Sequence, residues 1–356
     1  MQPTLVLAAA LLTASACLPP TGDTGDDAPP ADPDPDPHPL PPPPPPPPPP
    51  LTCSGTYALR SVLDLQAAAV LPQPLYDTVD TLRGLRDEPG RTLFELAEAA
   101  GVPYVDTLRD ALPDAVESRL YGWIDAHLAG VTYGGGPVAD AIDQVVTAAE
   151  TVLADIRLDS ELDLAAPSST HHLRAVAFAM AGGEVRFDLA AAEELPLALS
   201  VAVATQIDAS PAQAQLALGD HAFGFAYGEL AYAAIETAVQ ARYGTDVRGL
   251  LAAAIDCPTL ATAIAGRCVL GQCVGHATEL RAICDAGVDY IADELRAHFA
   301  EARFDAVALH AGSATLVDGD TADGRADVID GGVWTAEIDA GLGPRAAPGT
   351  FTGARR

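Results

Sequence analysis

The sequence predicts an α+β protein: a mainly helical N-terminal part, central antiparallel β-strands, a disulfide-stapled helical hairpin and a C-terminal β-hairpin. Three observations carry this prediction. Apolar residues recur at helical spacing from Thr92 to Ile156 and again from Glu229 to Ala302, whereas between His171 and Ala226 they alternate with a period of two. The alternating segments are short and successive, with Gly and Pro between them, which favours antiparallel pairing. Apolar residues make up 49% of the chain and charged ones 19%, enough to bury a sizeable core once the N-terminal 51 residues are set aside.

Those first residues read as export and spacing. Leu5 to Leu12 form an apolar run too short for a bilayer, which needs roughly 20 residues, so the segment reads as a secretory signal. Thr13-Ala14-Ser15-Ala16 places small residues before Cys17, as in a lipobox, so residues 1–17 are expected to be a lipoprotein signal with Cys17 lipidated. A plain signal cleaved near Ala16 would leave Cys17 an ordinary thiol. Residues 18–51 hold 18 of the 31 prolines, ten of them consecutive at Pro41–Pro50, with six Asp and no Arg. No core can form there, and the segment is expected to be a disordered spacer. Its ten-proline tract would extend about 31 Å as polyproline II.

Beyond the spacer, residues 52–166 are expected to form a mainly helical subdomain and residues 167–356 an α+β one. Gly55 to Leu63 alternates as an opening strand. Thr92-Leu-Phe-Glu95 reads as a capping box opening a helix that Gly101 closes. Pro113 suits the first turn of a helix reaching Leu128. Gly134-Gly-Gly-Pro137 breaks the chain, and Val138, Ile142, Val145, Ala149, Val152 and Ile156 then trace the core stripe of a further helix. Strands are expected at His171–Met180, Glu184–Leu189, Leu197–Ile207, Ala214–Leu218 and His221–Ala226. Helices follow at Glu229–Tyr243, Val247–Ile255, Pro258–Gly266 and Gly275–Ala302. The chain ends with a hairpin, Phe304–Val317 and Gly332–Asp339, and an edge strand around Thr350–Thr352.

Cysteines in an exported chain are read as disulfides. Cys257 and Cys268 flank one helix, and Cys273 and Cys284 lie along the next. Eleven helical residues span about 16 Å, beyond the roughly 7 Å limit between bridged Cα atoms. Across an antiparallel hairpin, residues equidistant from the turn face each other, which gives Cys257–Cys284 and Cys268–Cys273. The competing reading is thiolate zinc at Cys268, Cys273 and His276. Cys53 has no evident partner unless Cys17 remains a thiol.

The acidic stretch from Asp318 offers the best metal candidate. Asp323, Gly324, Asp327 and Asp330 match positions 5, 6, 9 and 12 of a calcium loop, and a bulge would let Asp318 and Asp320 join as ligands. A solvated turn between two strands accounts for the same residues without metal. His171-His172, Asp220-His221 and His276-x-x-Glu279 bring no catalytic motif with them, and Gly134-Gly-Gly before a helix serves equally as an anion cradle or as punctuation.

The basic complement is 19 residues against 49 acidic ones, a net charge of −30, which excludes a nucleic-acid footprint. Gly55-Thr-Tyr, Leu112-Pro, Ile255-Asp-Cys257, Cys273-Val-Gly-His276, Cys284 and Gly331-Gly-Val-Trp334 resemble a family of uncharacterised secreted bacterial lipoproteins. The resemblance covers Cys53 to Arg356 and implies export and Cys-bearing helices, with no activity to carry over. The expected function is that of a cell-envelope lipoprotein: a non-catalytic binding or structural module on a proline-rich spacer. Its lipid anchor would hold it to the outer membrane or the cell-surface or periplasmic face, with a protein or glycan as partner. A second reading is a carrier of lipid or another amphiphile in a tubular lipid-binding-like fold, with Ala177, Ala198, Ala202 and Ala204 lining a lumen. A hydrolase with an unrecognised site is the third.

Overall fold

The computed structural model describes residues 50–66, 70–103, 105, 113–189, 199–269, 272–273, 275–302, 304–320, 323–340 and 343–356. Cys17, all but the last two residues of the expected spacer, Leu112 and Ala198 lie outside them. The described chain belongs to one compact unit, Pro48–Arg356.

In chain order its elements are β1 (Gly55–Asp64), α1 (Gln73–Asp87), α2 (Pro89–Ala99), α3 (Asp114–Leu128), β2 (Thr132–Tyr133), β3 (Gly136–Pro137), α4 (Val138–Ala154), β4 (Asp155–Leu164), β5 (Ser168–Met180) and β6 (Gly183–Asp188). Then come β7 (Ser200–Ala209), β8 (Gln213–Leu218), β9 (His221–Phe225), α5 (Tyr227–Tyr243), α6 (Val247–Ile255), α7 (Cys257–Ile264), β10 (Cys268–Val269), β11 (Gln272–Cys273), α8 (Ala277–Glu301), β12 (Phe304–Val317), β13 (Val328–Ile338) and β14 (Arg345–Arg355).

Eight of the strands close on themselves. The order β13–β14–β1–β4–β5–β7–β8–β12 returns to β13 through a β12–β13 pairing, which makes an antiparallel barrel. β6 pairs with the second half of β5, and β9 with the first half of β12. Alternation sends Tyr57, Leu59 and Leu63 of β1 and Ile156, Leu158 and Leu162 of β4 inward. An eight-stranded barrel is just wide enough for side chains to fill. Trp334 stacks on Phe351 at 4.2 Å between centroids. Gly312 makes room for this indole, since a Cβ there would fall 2.2 Å from the ring.

The helices gather at the barrel end where β1 leaves, β4 begins, β9 leaves and β12 begins. Gly228, in the first turn of α5, passes against the end of α8, where its N–H donates to Ala302 O at 2.8 Å. The opposite end is crossed by the incoming chain. Leu51 N–H donates to Ser210 O and Thr52 N–H to Gly324 O, while Ala326 N–H donates back to Thr52 O. The Tyr57 hydroxyl lies 2.9 Å from Cys53 O and 2.7 Å from Ala326 O, tying the same end together.

Several expectations are corrected. The division at 166/167 is not a boundary, because β1 and β4 share one closed sheet with β5, β7, β8 and β12–β14. The 345–355 segment is a full barrel strand bonded on both sides, not an edge. Thr92 does not cap α2, which starts at Pro89. Its hydroxyl instead donates to Glu88 O from inside the helix. Ile156 is not the last helical stripe residue, since α4 ends at Ala154 and the chain turns straight into β4. Helix α1, unmarked by any sequence signal used above, buries Leu75, Val79, Leu82 and Leu85. Leu51 is buried, so the spacer ends before it.

The staple is present. Cys257 and Cys284 are bonded with Cα atoms 5.5 Å apart. Cys268 lies opposite Cys273 in the β10–β11 ladder and is itself disulfide-bonded, which removes it as a zinc thiolate. Cys268 follows α7 as expected, but Cys273 sits on this small hairpin between α7 and α8 rather than along the second helix.

Candidate functional site

Inside the barrel, β4, β5 and β9 bring Ser160, His171 and His221 together, all buried. Hydrogen-bond chemistry fixes every proton in this chain of contacts. His221 Nδ1 is 2.9 Å from Gly219 O, a pure acceptor, so Nδ1 carries the hydrogen. Neutral His221 then accepts at Nε2 from His171 Nδ1, 2.8 Å away. His171 Nε2 in turn accepts from the Ser160 hydroxyl at 2.8 Å. Burial, then the neighbouring imidazoles of His221 and His172, hold the His171 pKa down at about 3. Burial also lowers that of His221. Both rings are therefore neutral at pH 7. The order hydroxyl–imidazole–imidazole is that of an activated nucleophile. Ser160 is nevertheless only 4% exposed, and His171 is walled by Trp334 and Phe223 at 6.1 and 4.9 Å between centroids. With no room for a substrate, the network serves to satisfy buried polar groups and fix the core.

Of the other histidine pairs, His172 Nε2 is 3.3 Å from Asp163 on the barrel surface. His276 is the N-cap residue of α8, and its carbonyl accepts from Glu279 N–H.

Of the five carboxylates expected as calcium ligands, three lie close together. Asp318, Asp320 and Asp327 each present a carboxylate oxygen within 4.8 Å of the others. Asp323 instead accepts from Arg325 N–H and pairs with that side chain at 3.7 Å. Asp330 lies on β13 opposite Thr315. Three carboxylates supply part of the six to eight oxygens that calcium takes.

The amphiphile reading needs a space for the ligand. Ala202 and Ala204 point outward from β7, so they line no lumen, and Ala177 is buried. An apolar hollow lies outside the barrel: a cleft of about 500 Å³ between α4, α5 and the β5–β6 turn. Ala148, Met180, Val185, Ala238 and Val239 line it, with Gln144 and Arg242 at one end. Next to it, Gly134 to Gly136 form a tight β2–β3 turn around a polar hollow shared with Gln144 and Arg242. The glycines punctuate the entry to α4, and Gly134 and Gly135 adopt positive φ of 60° and 89°. Among the described residues, Val333 is the one exposed large hydrophobic side chain.

Compared with family models, curated proteins and solved structures, the chain has no match.

Proposed function

We propose that the protein is an exported cell-envelope lipoprotein, anchored through Cys17, that holds a non-catalytic binding module away from the membrane on its proline-rich spacer. The filled barrel is the rigid scaffold of this module, and a small apolar or amphiphilic ligand binds on its outside, in the cleft between α4, α5 and the β5–β6 turn. The observation that carries the reading is the contrast between an interior occupied by Tyr57, Phe351, Trp334 and His171 and an open, apolar-lined hollow of about 500 Å³ beside it. The amphiphile-carrier reading is retained in this altered place, outside the barrel instead of within it. A hydrolase is disfavoured because the Ser160–His171–His221 chain is closed off from substrate.

The test uses the amphiphilic dye 1-anilinonaphthalene-8-sulfonate. Thr147 is exposed and Ala238 half-buried on the cleft wall. Dye fluorescence is expected to rise on mixing with the folded protein and to be lost in Thr147→Trp and Ala238→Trp, whose indoles fill the hollow. Undiminished fluorescence in both variants would move the ligand site elsewhere.

A further inference from the structure

The outer face of the barrel carries a second feature, independent of the cleft. β1, β4, β5, β6 and the end of β14 display Arg60, Arg157, Arg174, Arg186 and Arg356 on one side of the sheet. The chain as a whole carries a charge of −30, yet five of its 19 arginines gather in this one patch.

These guanidinium groups share too few carboxylates. Glu184 Oε2 serves both Arg60 and Arg157. Glu161 Oε2 serves Arg174 at 3.4 Å and Arg356 at 2.8 Å. Asp159 pairs with Arg186 at 3.3 Å and Arg60 at 3.8 Å. A fourth carboxylate, Asp155, reaches only Arg157, at 3.7 Å, and Arg157 Nε has no hydrogen-bond acceptor. Each guanidinium has five N–H donors, more than these shared carboxylates accept.

Depth decides which charge faces a visitor. The side chains of Asp159 and Glu161 are 17% and 15% exposed, while those of Arg60, Arg174, Arg186 and Arg356 are 44%, 46%, 55% and 60% exposed. The carboxylates lie at the base and the arginines stand above them. Beneath is a floor of small residues, Ala58, Thr352 and Ala354, which leaves a hollow of about 530 Å³. The β-bulge that offsets β4 against β5 between Asp159 and Ser160 places Arg174 as the extra residue on this rim.

We infer that this hollow binds a multivalent phosphate group, held by the paired forks of Arg174, Arg186, Arg60 and Arg356. Planar guanidinium forks match phosphate oxygens two at a time, and a dianion supplies the acceptors that the shared carboxylates lack. The rest of the acidic surface is largely screened beyond about 8 Å at physiological salt, so a compact anion is admitted where a long polyanion is repelled.

The test is calorimetric titration of the purified protein with inorganic pyrophosphate, in low salt and at about 0.15 M salt. Binding is expected, weakened by salt and at least roughly tenfold weaker in Arg174→Gln/Arg186→Gln, a lower bound for removing two charge-assisted forks. Because that variant also disturbs the lattice, Glu161→Gln supplies the opposite sign. It removes a competing carboxylate, and pyrophosphate is expected to bind several-fold more tightly. Arg248→Gln, on α6 where Arg248 pairs with Asp289 and Asp293, should bind as wild type does. No binding by the wild-type protein, or Glu161→Gln binding no better than it, overturns the inference and leaves a purely structural ion-pair lattice. Either result leaves dye binding in the cleft untouched.

Discussion

Acid should unfold this barrel through His171, and the size of the effect follows from its burial. In the folded chain His171 stays neutral down to about pH 3, whereas an unfolded histidine takes a proton near 6.5. A depressed histidine pKa means that the unfolded state binds the extra proton, so the associated stability is complete above about pH 6.5. It is lost as pH falls toward 3, at about 1.4 kcal/mol per pH unit, roughly 5 kcal/mol in all. Between pH 7 and pH 4 the loss from this residue is about 3 kcal/mol. The reference is His171→Gln, which is neutral throughout. Urea unfolding of both proteins at the two pH values gives four stabilities, and the double difference cancels the response of the many carboxylates, which is common to both. Tryptophan emission, from Trp334 stacked on His171 together with Trp123 on α3, reports the unfolding. A double difference of about 3 kcal/mol is expected, and equal pH dependence in the two proteins would refute the reasoning.

Other expectations are local. A Cβ on Gly228 would sit 1.6 Å from Phe299 O, a backbone atom that cannot swing aside, so Gly228→Ala should lower the unfolding free energy by about 3 kcal/mol in urea titrations. The Cys257–Cys284 bridge spans 27 residues, and loop-closure entropy assigns it about 3.5 kcal/mol, to be read as the difference between wild type and Cys257→Ser/Cys284→Ser. Calcium at about 1 mM, the range of weak extracellular sites, is expected to raise the thermal midpoint by relieving Asp318, Asp320 and Asp327. The rise should vanish with chelator and in Asp320→Asn, and no rise in the wild type removes calcium from the account.

Features fixed by local periodicity were legible in the sequence. Val247–Ile255 and Phe304–Val317 have the bounds that their patterns predicted. The Cys257–Cys284 bridge followed from hairpin symmetry, because its partners lie on consecutive helices. Strand β4 was hidden because Ile156 continues the helical stripe of α4 while also opening the alternation Ile156, Leu158, Ser160, Leu162. Closure of the barrel was out of reach for another reason: β1 pairs with β14, so the two ends of the folded chain meet, and no local signal records such a contact. The same holds for His171 and His221. Each shares strand parity with an apolar neighbour, Leu173 and Phe223, which marks both as inward, but only the sheet topology brings them within 2.8 Å. The acidic loop was visible as composition, yet its fold selects Asp318, Asp320 and Asp327 and turns Asp323 toward Arg325.

The central claim is that ligand binds outside a filled barrel, and methyl-resolved nuclear magnetic resonance during a titration with 1-anilinonaphthalene-8-sulfonate tests it most directly. The account predicts shifts at Ala148, Met180, Val185, Ala238 and Val239, which line the cleft, and silence at Leu59, Leu158, Leu162 and Ile329 inside the barrel. Shifts concentrated on the interior methyls, with the cleft unchanged, would contradict it.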